Sequence, residues 1–344
     1  MQESITNLPP QPVVRLFAVI VVYKMLPGES PTLRTLLDAV RQASHNGLEI
    51  GVLVWDNTPG GQDPGENSDG VRYHAAPDNP GLARAYNYAL DLAHAEEYDW
   101  LLTLDQDSIL PANFLVRVAE LARHLESTAT IGAIVPQVTG DGRNLSPFQF
   151  ALGAIPRWFR YGFIGAPEGA TYALNSGATL RVASLREIGG YDPMFPLDVS
   201  DIILFHRLFR SGKKVFVAGD LLISHEFSLL KKPQRMSFQR YTAMLWDECA
   251  FWDMNMGIFA RAERMIRLVG RACKEFLVPE GSTFRSITLM ELKRRLLTSR
   301  SQRIDDWTRW ARQRCSPSSH AAIRDCFPLQ AEGELNQRTS GRVN

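Results

Sequence analysis

The chain has 344 residues, 45% hydrophobic and 22% charged, with a formal net charge of +1. That length allows one large or two smaller globular domains with ample core, and the balanced charge gives no support for a nucleic-acid partner. Four cysteines, Cys249, Cys273, Cys315 and Cys326, lie far apart with no CxxC pair, which argues for reduced thiols and against a disulfide framework or zinc site.

The N-terminus lacks the basic and apolar regions of a signal peptide, and the longest apolar run, Leu16 to Tyr23, is too short to span a bilayer. A soluble chain, or one resting on a membrane without crossing it, is expected. Residues 1–14 are polar, carry Pro9, Pro10 and Pro12, and read as a flexible leader. Strands are then expected at 17–22, 50–55, 71–74, 100–104 and 131–135, with helices at 31–44, 82–95 and 112–125 between them. A Gly-, Asp- and Pro-rich loop covers 57–70. Strands alternating with helices predict a parallel, doubly wound α/β sheet, with ligands outside the carboxyl ends of its strands.

The rhythm breaks after Pro136. Residues 153–169 are aromatic and irregular (Trp158, Phe159, Tyr161, Phe163), as in a binding loop. A strand at 171–174, helices at 184–188 and 200–210, and strands at 215–217 and 221–224 complete the unit. From Lys231 the pattern is helical and basic: Arg261, Arg264, Arg267, Arg271 and Lys274 recur at helical steps, followed by Lys293, Arg294, Arg295 and Arg300. Such charge reads as a solvated face or as a contact with anionic lipid. The tail after Cys315 is polar and expected to be poorly ordered. The expected organisation is therefore a leader at 1–14, an α/β domain at 15–230, a helical region at 231–314 and a tail at 315–344.

The apolar run Leu101–Leu104 stops at Asp105-Gln106-Asp107-Ser108. If the strand continues, both carboxylates face one side, and two adjacent acids there are costly unless something positive joins them. A hard divalent cation backed by a substrate phosphate resolves the cost. The other reading has Asp107 capping the next helix and Asp105 merely solvated. Asp56-Asn57 puts a further carboxylate at the same sheet edge, able to accept a pyrimidine N–H or to form a turn before Pro59. Asn79-Pro80-Gly81-Leu82-Ala83-Arg84-Ala85-Tyr86-Asn87 opens a helix whose first-turn N–H groups and Arg84 suit a phosphate; a capped helix with an exposed Arg reads the same. Asp201 starts the helix carrying His206 and Arg207, as a cap or as a base for a hydroxyl proton. His225 ends a strand, as a structural residue or as a ligand.

Taken together these residues resemble the inverting family 2 glycosyltransferases of the GT-A fold, and within them a rhamnosyltransferase-like branch. The resemblance spans roughly Arg15 to Met244. It rests on Asp56-Asn57; the spacing of Asn79, Gly81, Ala83, Ala85 and Asn87; Leu104-Asp105-Gln106-Asp107-Ser108; Ser176-Gly177; and Gly189-Gly190-Tyr191-Asp192. It continues through Leu197-Asp198-Val199-Ser200-Asp201, Arg207, Gly212, His225 and Arg240-Tyr241.

The resemblance implies a GT-A-type, mostly parallel sheet with a C-terminal helical extension. It implies that Asp56, Asn79, Gly81, Arg84, Asn87, Asp105, Ser176 and Gly177 bind the nucleotide sugar. Asp105, Asp107 and His225 would bind a divalent metal, Mg²⁺ or Mn²⁺, and Asp201 would be the general base. The implied donor is dTDP-L-rhamnose and the acceptor a hydroxyl of a surface polysaccharide or lipid-linked glycan. The excess of basic residues between Arg261 and Arg303, with no segment long enough to span a bilayer, adds the expectation of a cytoplasmic chain in peripheral contact with the inner face of the membrane. Oligomeric state is left open. Ile203 stands where the family often has an acid, and only Val199 and Ser200 lie between Asp198 and the base, where an aromatic is common. Two alternatives are a nucleotidyltransferase acting on sugar phosphates and a non-catalytic nucleotide- or glycan-binding module. The first should show a phosphate loop after strand one, and Tyr23-Lys24-Met25-Leu26-Pro27-Gly28 is not one.

Overall fold

The computed structural model describes residues 12–43, 47–65, 70–151, 155–225, 237–277 and 282–315. Most of the expected leader, parts of the loops at 57–70 and 153–169, the link at 226–236 and the tail after Cys315 lie outside them.

The core strand is β1 (Val14–Val22), flanked by β2 (Leu48–Asp56) and β4 (Trp100–Asp105), with β3 (Val71–Ala75) beyond β2; all four run parallel. Its sequence VRLFAVIVV is apolar on both sides, as a strand buried on two faces requires. Phe17, Val19 and Val21 point to one face, where they pack with α2 (Leu82–Ala95), α4 (Val182–Ile188) and α5 (Ser200–Arg210). Leu16, Ala18, Ile20 and Val22 point to the other, against α1 (Pro31–Ala43) and α3 (Phe114–His124). The expected doubly wound, mostly parallel sheet is present.

The other half of the sheet departs from the simple alternation. β12 (Ala178–Arg181) runs antiparallel between β4 and β6 (Ile131–Gly140), and β13 (Lys214–His225) lies parallel to β6. The strands expected at 215–217 and 221–224 are one strand, β13, with a register break between Ala218 and Leu222. Gly219 sits in that break, where a Cβ would meet the backbone of Phe163 next to β10 (Ile164–Gly165). β5 (Ser108–Ile109) pairs with the end of β13, and β7 (Arg143–Ser146) with β6.

The segment expected as an irregular loop at 153–169 is partly ordered. β8 (Phe148–Ala151) and β9 (Ile155–Trp158) pair and, with β11 (Thr171–Tyr172), make a separate three-stranded sheet. Among the described residues four helices follow: α6 (Phe238–Asn255), α7 (Ile258–Leu277), α8 (Ser282–Leu297) and α9 (Arg300–Cys315). They are joined to the sheet's own core, because Phe251 and Trp252 of α6 and Trp307 and Ala311 of α9 belong to the cluster built on Phe17 and Val19. A smaller core of Tyr241, Leu245, Cys249, Leu268 and Ile287 binds α6, α7 and α8 together.

Candidate active site

Register places the acids. Val22 is opposite Asp56 and Val21 opposite Asp105, so both carboxylates emerge at the carboxyl edge of the sheet on either side of β1. β12 runs the other way, so its leading residues Ser176 and Gly177 arrive at that same edge. There the Ser176 hydroxyl donates to Asp105 Oδ2 and the Tyr86 hydroxyl lies 3.4 Å from Oδ1.

The strand stops at Asp105, so the geometry expected from an extended run through Asp107 is corrected: residues 106 and 107 form a turn. Asp107 does not cap the following helix either, since α3 begins at Phe114 after Asn113. The turn is held by hydroxyls at the start of α1. Ser30 Oγ donates to the Gln106 carbonyl at 2.7 Å, and Thr32 Oγ1 donates to the Ser108 carbonyl at 2.9 Å while accepting from its N–H at 2.8 Å. Gln106 itself accepts from the Tyr23 N–H at 2.6 Å. Asp107 thereby faces the end of β13, with its Oδ1 3.6 Å from His225 Nδ1, which lies 3.0 Å from Ser108 Oγ.

Among the described residues no group of three or more His, Cys, Asp or Glu is gathered closely enough to hold a metal. The expected trio Asp105, Asp107 and His225 is therefore not a closed ligand set. The two carboxylates suit an open site instead, where Mg²⁺ or Mn²⁺ would be completed by a diphosphate and water; the hard oxygen donors fit that kind of ion.

Asp56 is buried, with Oδ1 accepting from the Thr58 N–H at 2.8 Å and Oδ2 from the Tyr73 hydroxyl at 2.6 Å. Burial first, and Asp56 second, raise the Tyr73 phenol well above its ordinary pKa. A carboxylate keeps further lone pairs, so Asp56 can still accept one donor from a base.

Three expected binding groups have other tasks. The N–H groups of Leu82 and Ala83, expected to be free for an anion, both point at the Pro196 carbonyl, at 2.6 and 3.2 Å. Gly81 permits this approach: its φ is +89°, and a Cβ there would lie 2.5 Å from that carbonyl oxygen. The side chain of Arg84, in the same first turn, is exposed. Asn87 uses both ends of its amide on the backbone of Tyr191, each at 2.8 Å, so it frames the site. Gly177 has φ +83° and is pressed against Ile223 and Pro136, a backbone role. Asn79 is left-handed too, with φ +48°.

Asp201 lies in the first turn of α5, its Oδ1 accepting its neighbour Ile202's N–H at 2.7 Å. Burial, with further pushes from the like charges of Asp105 and Asp198, raises its carboxyl to about 7, against the pull of the Ile202 N–H. Val199, immediately before α5, adopts φ +72°, a left-handed conformation that a β-branched residue holds only under constraint.

The constraint comes from the C-terminal helices, which sequence patterning does not connect to this loop. Phe195 stacks on Trp307 of α9 at 4.6 Å. Arg314 donates to the Met194 carbonyl at 2.9 Å and pairs with buried Asp247 of α6 at 3.0 Å, while the Trp307 indole donates to Asp247 at 2.9 Å. Arg240 reaches Asp198 at 3.5 Å. His206 and Arg207 are structural: the His206 ring stacks on Tyr172, and Arg207 donates to the carbonyls of Ile188 and Gly190.

The sequence profile described as glycosyl transferase family 2 matches residues 18–189, half of the chain. The chain belongs to glycosyl transferase family 2. That sets aside a nucleotidyltransferase, and Asp105, Asp107, Ser176 and Gly177 all fall inside the matched region.

No curated protein matches this family 2 chain. Similar solved structures include S. aureus TarS, with a TM-score of 0.46 and 15% identity over 74% of this chain and 42% of TarS. S. aureus TarS 1-349 in complex with UDP-GlcNAc gives 0.44 and 14% over 89% of this chain and 83% of that one. GalNAc-T7 with UDP, GalNAc and Mn²⁺ gives 0.42 and 14% over 70% and 50%. The chain thus spans less than half the length of TarS.

Proposed function

We propose that this family 2 glycosyltransferase moves a sugar from a nucleoside diphosphate to a hydroxyl, inverting the anomeric carbon. The donor we assign is dTDP-L-rhamnose, and the acceptor a surface-polysaccharide or lipid-linked glycan made on the cytoplasmic side of a membrane. The observation that carries the reading is Asp201: a carboxyl raised to about 7 at a helix start, electrostatically coupled to Asp105. A base so tuned is matched to a proton that leaves a hydroxyl during attack near neutral pH.

The remaining roles follow. Asp56 accepts the N–H of a pyrimidine. Asp105 and Asp107 hold the divalent cation, which when bound supplies positive charge to the departing diphosphate. Arg84, exposed at the start of α2, would add a second cation. The choice of rhamnose is supported by the order of motifs in the sequence.

The test is product analysis with dTDP-, UDP- and GDP-sugars in the presence of Mg²⁺ or Mn²⁺. Transfer from dTDP-L-rhamnose with an inverted anomeric centre, read by NMR, is expected. Preference for another nucleotide overturns the donor assignment, and a retained configuration overturns the role of Asp201.

A further inference from the structure

The expectation of a basic, lipid-facing stripe changes once the helices are seen in place. Arg264 and Arg271 are turned onto Glu248, and Arg295 and Arg303 onto Asp253. Arg294 pairs with Glu291. Most of the arginines therefore tie helices to each other and are not offered to a partner.

What α7 and α8 leave uncovered is apolar. Their inner sides, through Leu268 and Ile287, share the small core with α6. Away from it, α7 exposes Phe259 (86%), Ile266 (71%), Phe276 (60%) and Leu277 (84%), and α8 exposes Met290 (69%) and Leu296 (75%). Phe259, Ile266, Val269 and Phe276 fall on one side of α7 by their spacing. The exposed charged residues of these two helices, among those described, are Arg267, Lys274 and Lys293, all basic. Their acids are engaged: Glu263 by Arg267, Glu275 by the Tyr241 hydroxyl, and Glu291 by Arg294 and Arg295.

An uncovered apolar face rimmed by cations does not suit a second copy of itself, which would bring like charges together with no acids to answer them. It suits an anionic bilayer on both counts. Neither helix is long and apolar enough to cross a membrane among the described residues. We propose that the outer face of α7 and α8 is a docking surface for an anionic phospholipid bilayer. The two helices lie in the interface, the apolar side chains insert, and Lys274 and Lys293, which among the described residues and unlike Arg267 are not paired with an acid of their own helix, meet headgroups. The proposal rests on the membrane-side acceptor suggested above only for its biological sense.

Co-sedimentation of the full chain with phosphatidylcholine vesicles, with and without phosphatidylglycerol, tests it in the absence of donor and acceptor. Wild type should bind the anionic vesicles and keep a large part of that binding at high salt, because insertion is not screened. The double variant Ile266→Asn, Leu277→Asn should weaken partitioning about tenfold or more. Lys274→Gln with Lys293→Gln should weaken it only about two- to tenfold, and only at low salt. These substitutions are at the surface, and unchanged circular dichroism would confirm folding. No binding by wild type, or equal binding by the Asn variants, overturns the proposal. So does a wild-type dimer that the Asn variants convert to monomers, which would assign the face to a second copy. A chain that binds vesicles yet transfers no sugar defeats the transferase reading alone; one that transfers to a soluble acceptor yet binds no vesicle defeats the docking surface alone.

Discussion

Burial and the nearby charges of Asp105 and Asp198 favour the protonated form of Asp201, which shapes stability and, with Asp201 as the proposed base, activity. In the free enzyme kcat/KM should rise with pH through about 7 and then level, the limb being the ionisation of this carboxyl. Asp201→Asn should remove that limb and cut turnover by about a hundred- to ten-thousandfold, while calorimetry finds nucleotide binding unchanged. The folded carboxyl lies above its ordinary value of 3.8, so the folded state holds a proton that the unfolded state has lost between 3.8 and about 7. Stability therefore falls as pH climbs through that window, and Asn, which does not titrate, should raise the melting temperature at about pH 8. Removal of divalent ions, or Asp107→Ala, should lower turnover by about a hundredfold or more. Full activity in chelator would end the metal role.

At this scale the sequence was legible where chemistry is carried by a side chain at a strand end. Asp56 and Asp105 stand where the apolar runs stop, as expected. It was silent where a backbone carbonyl does the work: nothing in the letters Pro196 announces that its oxygen caps α2. It also misled at Asn87, whose amide is consumed by Tyr191 because a glycine, Gly190, lets the two chains touch.

Among the elements, the loop from Asp192 to Ser200 shows most clearly how position is enforced. Val199→Gly should relieve the left-handed strain and stabilise the fold by about 1 kcal/mol, yet lower kcat because the loop gains freedom next to Asp201, the proposed base. Trp307→Ala empties the stacking site on Phe195 and should cost about 3–5 kcal/mol. Arg314→Met leaves Asp247 buried; burial already pushes that carboxyl up to about 6 against the pull of Arg314, so it would become neutral sooner. Faster amide exchange across residues 192–199 in either variant, read by mass spectrometry, would show the loop released; unchanged exchange would contradict the clamp. Parallel strands and amphipathic helices were readable from periodicity, while β12 was not, because four residues contributed from a loop carry too short a pattern. β13 was split in two because Gly219 and Asp220 interrupt its apolar run at the register break.

Across the whole molecule, the buried carboxyls respond to acid in two ways: burial raises Asp201 and Asp247, while Asp253 is lowered by its arginines. Burial raises the carboxyl of Asp253, but Arg303 and Arg295 win and hold it below its ordinary value of 3.8. Its contribution is present above that value and is lost as pH falls through the lowered one, leaving buried guanidinium groups without an acid. Asp201 in the sheet domain is shifted the other way and is relieved by protonation. Asp253→Asn should therefore destabilise the chain at neutral pH and much less in strong acid, read as the change in melting temperature. An equal loss at both would contradict this.

The Pro196 carbonyl has one more consequence, for how such an enzyme can change over generations. A lineage adapting to a different acceptor would ordinarily reshape the loop beside the proposed base, Asp201. Here the backbone of that loop closes the first turn of α2, Gly81 leaves no slack, and α9 holds its other side. Insertions or deletions between Asp192 and Ser200 would unseat α2 along with them. New substrate preferences are then open mainly to side-chain replacement, or to remodelling of β8 and β9 in the small sheet, since β11 packs its Tyr172 on His206 of α5.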